Sequence, residues 1–300
     1  MLKRRELLLS TAAFGLSCAT RRAPLQGREV SLLMPSQPTR DGAGVSLLRA
    51  LGHQALNFVD PFLLLDEFHS DNPDDYLAGF PDHPHRGFET VTYMLQGAME
   101  HRDSVGNHGR LGPGSAQWMT AGHGIVHSEM PKQERGLMWG FQLWVNLPAS
   151  RKLILPRYQD LAPSLIPEVE LERARVRVVA GRFEGHTGPV RHIDVDPLFL
   201  DLALDGARLS VPVPAAHAVL CYPIDGALRV GASGREVRRG MLAVLSGGEA
   251  VELEGSGRAL LLAGRPIGER VARWGPFVMN TEDELRQAVN DYRSGQLTKI

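Results

Sequence analysis

Four side chains in this 300-residue sequence have the types and spacing to hold a metal ion: His83, His85, His127 and Glu129. Alternate side chains of an extended chain share a face, so His83 and His85 project together, and His127 and Glu129 repeat the spacing. Pro84 disfavours the helical region for His83, which keeps the first pair off a helix. If the two segments run as neighbouring antiparallel strands, three neutral imidazole nitrogens and one carboxylate oxygen converge on one point. That donor set suits a divalent first-row metal and leaves coordination positions open.

The elements that must position these residues are short strands. Thirty-two glycines and twenty prolines with few long helical patterns indicate an all-β chain. Thr90 to Leu95 alternates polar and apolar residues as a half-buried strand does, Gln96-Gly97 supplies a turn, and Met99 to Ser104 is expected to return antiparallel. Leu137 to Leu147 reads as an apolar closing strand. Trp139, Phe141, Leu143 and Val145 share its core face, and Gln142, Trp144 and Asn146 share a face available to line a pocket. His101, His108 and His123 lie in the same region but lack a ligand-type partner at alternating spacing; His101 and His123 remain candidates to orient a ligand by hydrogen bonding.

The run His83-Pro84-His85-Arg86-Gly87-Phe88-Glu89-Thr90-Val91, then Gln117 to Gly122 and Gly124 to Met130, resembles the pirin family of the cupin superfamily. The resemblance extends to Asp60 to Phe68 and to Gly275 to Thr281, spanning residues 28 to 298 and thinnest in the C-terminal half. It implies two cupin-type β-barrels, with the metal ligands on His83, His85, His127 and Glu129. Cupins in general take their carboxylate from the first motif, here Glu89, which has the strand parity of His83 and His85 unless Gly87 introduces a bulge. Glu129 is therefore ranked as the ligand and Glu89 as a neighbour of the ligands. The resemblance also implies a metal-dependent dioxygenase of the quercetinase type, acting on a flavonol-like or phenolic small molecule with dioxygen. Glu129 would both bind the metal and accept a substrate proton. The alternative it offers is a non-catalytic metal-binding protein with a binding or redox-responsive regulatory role. The metal is one divalent ion, Fe(II) ranked first, with manganese, nickel, copper and zinc admitted by the same donors.

The expected organisation is an export signal over 1–22, a metal-bearing barrel over 23–155, a second barrel over 168–278, and a helix and tail over 279–300. The proline-rich stretch from Leu147 to Pro167 reads as the interdomain connection. Beyond it, Asp205-Gly206, Asp225-Gly226 and Gly247-Gly248 read as turns between apolar strands. No His-x-His occurs there, so the second barrel is expected to hold no metal. Thr281 with Glu284 forms a capping box ahead of Leu285, Ala288, Val289 and Tyr292 at helical spacing. The resemblance implies that this helix packs back on the N-terminal barrel.

At the start, Arg4-Arg5 precedes an apolar run from Leu7 to Leu16 that is too short to span a bilayer, a pattern resembling a twin-arginine export signal. The expected address is the periplasm or cell envelope, with Cys18 a possible lipidation site and the cytoplasm the alternative. Removal or lipidation of Cys18 leaves Cys221 without a partner, so the fold is expected to need no disulfide and Cys221 to be a buried small hydrophobe. A net charge of −1 gives no electrostatic reason to expect nucleic acid or an anionic membrane as partner. The expected partners are a small-molecule substrate and dioxygen, with the chain a monomer.

Overall fold

The computed structural model describes residues 25–299, which fold into two β-barrels and one α-helix. The residues read as an export signal, with Cys18, lie outside the described residues. In the first barrel a seven-stranded sheet runs in the order Arg157–Leu161, Ala116–Thr120, Phe88–Gln96, Met138–Asn146, Phe62–Ser70, Val45–Leu51, Gln37–Asp41. A four-stranded sheet faces it, in the order Phe80–His85, Ile125–Pro131, Met99–Asp103, His108–Leu111. The second barrel is one eight-stranded antiparallel sheet built on the long strands Leu198–Pro212, Ala218–Val230 and Ala250–Gly264.

Strand parity explains what each face of the large sheet does. Val91, Tyr93, Phe141, Leu143 and Val145 pack against Phe199, Leu220 and Tyr222 of the second barrel in one apolar cluster. The opposite face, carrying Phe88, Thr90, Thr92, Gln142 and Trp144, turns toward the four-stranded sheet. Strand Phe88–Gln96 is consequently buried on both faces through Met94 rather than half-buried. Two reciprocal hydrogen bonds cross the barrel interface. Tyr93 Oη donates to Asp201 Oδ2 at 2.5 Å, and Tyr222 Oη donates to Glu67 Oε2 at 2.8 Å.

Several expectations are corrected by pairing that sequence period cannot reveal. Met99–Asp103 does not return along Phe88–Gln96; after Gly97, at φ 84°, the chain crosses to the four-stranded sheet and pairs with Ile125–Pro131. Asp205-Gly206 and Asp225-Gly226 are not turns. Each marks a register shift inside a long strand, and the bulge bends that strand around the barrel. Val30–Pro35, expected in the first barrel, pairs with Met241–Leu245 of the second. The supposed connection contributes Arg157–Leu161 as an edge strand of the first barrel, paired with Ala116–Thr120.

The C-terminal residues also return to the first barrel. Strands Ala272–Trp274 and Phe277–Met279 form a hairpin, and Arg86 and Phe277 form a parallel bridge with Arg86 N donating to Pro276 O. Helix Glu282–Arg293 has the expected capping box, with Thr281 Oγ1 accepting from Glu284 N and Glu284 Oε2 accepting from Thr281 N. Its Leu285 and Ala288 pack with Phe277, Met279 and Val126, so the helix does lie against the first barrel. Cys221 is fully buried and free, and burial pushes its thiol up to about 12.

Candidate metal centre

Strands Phe80–His85 and Ile125–Pro131 are antiparallel neighbours, and His127 sits directly opposite His83. The first strand is an edge strand, which is why it tolerates prolines at 81 and 84 that cannot donate to a ladder. One nitrogen from each of His83, His85 and His127 lies within 4.8 Å of the others. His83 Nε2 and His85 Nε2 are 3.0 Å apart, while His83 Nδ1 lies 2.8 Å from Pro81 O. Donation from Nδ1 to that carbonyl leaves the Nε2 lone pair of His83 directed at the cluster.

The chemistry of the donors fits a divalent cation. His85 and His127 are buried, and burial first, then the neighbouring histidines, holds both well below the ordinary imidazole pKa. Both are therefore neutral at neutral pH, the form a metal requires. Neither ring nitrogen of His127 has a hydrogen-bond partner among the described residues. Buried polar atoms are rarely left unpaired, and three converging imidazoles with free lone pairs are best satisfied by a first-row metal ion.

Glu129 lines the same cavity but falls outside the three-histidine cluster. Its strand shifts register between His127 and Glu129, and the carboxylate reaches the facing sheet. There Thr92 Oγ1 donates to Oε1 at 2.7 Å and Gln142 Nε2 donates to Oε2 at 2.9 Å. Thr92 and Gln142 belong to a polar row in register across the large sheet: Asp160, Gln117, Thr92, Gln142, Asp66, Arg49. Only Gln142 of this row was legible as pocket-facing in the sequence. Asp66 accepts from Arg49 Nε at 2.9 Å and from Nη2 at 2.7 Å, and it is a buried carboxylate in the cavity lining.

Glu89 is not beside the ligands. Gly87, at φ 87°, breaks the strand and shifts the parity, so Phe88 rather than Glu89 faces His85, ring to ring at 5.0 Å. Glu89 points the other way, accepts from Thr120 Oγ1 at 2.6 Å, and burial pushes its carboxyl up to about 7. Only glycine permits this turn, because a Cβ at Gly87 would stand 2.0 Å from Val278 O of the C-terminal hairpin. His101 lies opposite Glu129 but is held by Gln117, whose Nε2 is 2.7 Å from either ring nitrogen, and it stacks on Tyr158. His108 meets Glu100 at 3.3 Å, and His123 offers its carbonyl to Arg86 Nε. None of these histidines joins the cluster.

Two features behind the ligands were invisible in the sequence. Lys152 is buried and its Nζ donates to Gly87 O, Asn146 Oδ1 and Val278 O, tying the ligand turn to the C-terminal hairpin. Arg86 Nη1 meets Asp291 Oδ2 at 2.7 Å, linking the residue after His85 to the C-terminal helix. In front of the ligands a cavity of about 550 Å³ is lined by His83, His85, Glu129, Gln142, Trp144 and Arg273 among others. Its volume is that of a small-molecule site.

Comparison with known proteins agrees with this architecture. The pirin family model matches residues 44–145, and the model of the pirin C-terminal cupin domain matches residues 199–298. A protein of Pseudomonas aeruginosa assigned provisionally as a quercetin 2,3-dioxygenase is 49% identical over 279 residues, covering 90% of this chain and 98% of that one. A pirin-like protein of Caulobacter vibrioides is 48% identical over 274 residues, covering 90% and 99%. The crystal structure of quercetin 2,3-dioxygenase from Acinetobacter baumannii superimposes with a TM-score of 0.84 at 31% identity, covering 90% of this chain and 98% of that one. With two cupin barrels, a histidine cluster in the first and both family models matched, this chain belongs to the pirin family.

Proposed function

We propose that the protein is a metal-dependent dioxygenase acting on a flavonol-like or phenolic small molecule. The observation that carries this reading is the set of three converging imidazoles at the wall of a cavity of about 550 Å³. Its similarity to quercetin dioxygenases supports it. His83, His85 and His127 would hold the ion, with Glu129 as a fourth, labile ligand. A bound divalent ion, Fe(II) ranked first, supplies Lewis-acid activation of a substrate hydroxyl and access to dioxygen chemistry. Glu129 takes the hydroxyl proton, and Thr92 and Gln142, each donating to one of its oxygens, hold its carboxylate in place until then. Trp144, 4.4 Å from the ring of Phe88 and 5.4 Å from that of His85, offers an aromatic wall for a planar substrate.

The test is E129Q in metal-saturated protein: substrate binding persists and most oxygen uptake is lost. Near-normal uptake removes the proton-acceptor role. A specific observation favours a second reading, a metal-binding protein without turnover: both oxygens of Glu129 are already hydrogen-bonded. That reading prevails if wild-type protein consumes no oxygen with flavonols or catechols under iron, manganese, nickel, copper or zinc.

Export is part of the proposal and rests on the sequence of residues 1–22 alone. Among the described residues no helix is long and apolar enough to cross a membrane.

A further inference from the structure

The hairpin Ala272–Trp274 and Phe277–Met279 carries Arg273 into the wall of the cavity, although the residue belongs to the C-terminal half of the chain. Its guanidinium carbon stands 4.7 Å from the ring centroid of Trp144, and the Trp144 ring is 5.4 Å from that of His85. Arg273 and the candidate ligand His85 thus both border the same indole ring.

Among the described residues the Arg273 side chain has a single hydrogen bond, from Nη1 to Leu63 O at 3.1 Å, and forms no ion pair. The other cation of the cavity, Arg49, is paired with two carboxylates. It pairs with both oxygens of Asp66 and with Asp41 at 2.7 Å. Asp66 is the buried carboxylate within electrostatic reach of Arg273, and it is already committed bidentately to Arg49. Two guanidinium groups therefore share one buried carboxylate. Burial lowers the pKa of Arg273, as expected where desolvation of the cation is incompletely offset. The group is planar, held against an aromatic face, and keeps N–H donors free, which is the arrangement that receives a carboxylate through two parallel hydrogen bonds.

We infer that Arg273 is a specificity-determining residue that receives a carboxylate on the ligand of this cavity, at the end of an aromatic ring remote from the metal-ligating oxygens. The inference rests on the metal-chelating reading above and narrows it to acidic phenols: aryl carboxylates bearing a hydroxyl or catechol at the opposite end. The ring of such a ligand would lie along Trp144, with its hydroxyl at the histidine cluster and its carboxylate at Arg273. The second half of the chain then has a role at the site, since its hairpin brings the anion receptor to the first barrel.

The probes are 3,4-dihydroxybenzoate and catechol, which differ by the carboxylate, titrated calorimetrically onto nickel-loaded, full-length protein without dioxygen. Wild type is expected to bind dihydroxybenzoate at least 10-fold more tightly than catechol. In R273Q that preference disappears while catechol affinity is unchanged, and R273K restores part of it. Equal affinity for the two probes in wild type, or an undiminished preference in R273Q, overturns the inference. If neither probe binds the nickel-loaded protein, the chelating reading fails by itself. Benzoate against benzyl alcohol, followed by tryptophan fluorescence on metal-free protein, then decides the anion site: wild type must discriminate and R273Q must not.

Discussion

Glu89 offers a test of the face assignment on which the site depends. It is 1% exposed, its Oε1 accepts from Thr120, and its Oε2 has no partner among the described residues. Burial raises its carboxyl from 4.5 to about 7. Below pH 4.5 the group is protonated in folded and unfolded chains alike, and its full contribution to stability is present. As the pH rises toward 7 the unfolded chain releases the proton first, so stability falls, and it has fallen by about 3 kcal/mol once the folded carboxyl has ionised. E89Q removes the titration. The Thr120 hydroxyl can still donate to the amide oxygen, but the new amide N–H lacks an acceptor, at a cost of about 1–3 kcal/mol independent of pH. The diagnostic is therefore the slope: urea unfolding of metal-free wild type and E89Q between pH 5 and pH 8, with the histidine contributions common to both. The wild type should lose about 2.5 kcal/mol relative to the variant across that window, the rest of the loss lying below pH 5. The same variant should retain full metal content, because Glu89 faces the second barrel. Parallel stability curves would refute the buried, raised carboxyl, and loss of metal in E89Q would refute the face assignment.

H127A should lose most bound metal by elemental analysis yet keep its far-ultraviolet circular dichroism, because the two barrels have apolar cores that do not depend on an ion. D291N breaks the partly buried pair with Arg86 and should cost about 1–3 kcal/mol in thermal or urea unfolding while weakening metal retention during dialysis against a chelator. An unchanged metal off-rate would show that the C-terminal helix does not steady the His85 turn. Replacing Arg4 and Arg5 together by lysine should keep the full-length protein in the cytoplasm on fractionation, and unchanged export would dispose of the twin-arginine reading.

What was legible in the sequence was local. Histidines two apart on an extended segment must share a face, so the pairing of His83 with His85 followed from strand geometry, as did the opposition of Gln142 and Trp144 to Phe141 and Leu143. The helix was legible for the same reason, because the Thr281 and Glu284 cap satisfies backbone groups within one turn. Parity failed where the chain leaves the regular pleat. The left-handed turn at Gly87 moved Glu89 to the opposite face, and the bulges at Asp205/Ala207 and Pro223/Asp225 turned apparent hairpins into bends of single strands. Tertiary structure alone decided which sheet each strand joined. A period of two is the same in every sheet, whereas the partner is chosen by contacts between residues far apart in sequence. Val30–Pro35 accordingly pairs more than two hundred residues away with Met241–Leu245. The same long-range docking brings Lys152, Asp291 and Arg273 to the strands and turn that carry the histidine cluster. Their roles come from the acceptors, guanidinium and aromatic ring that packing places beside them, and no spacing along the chain encodes those neighbours.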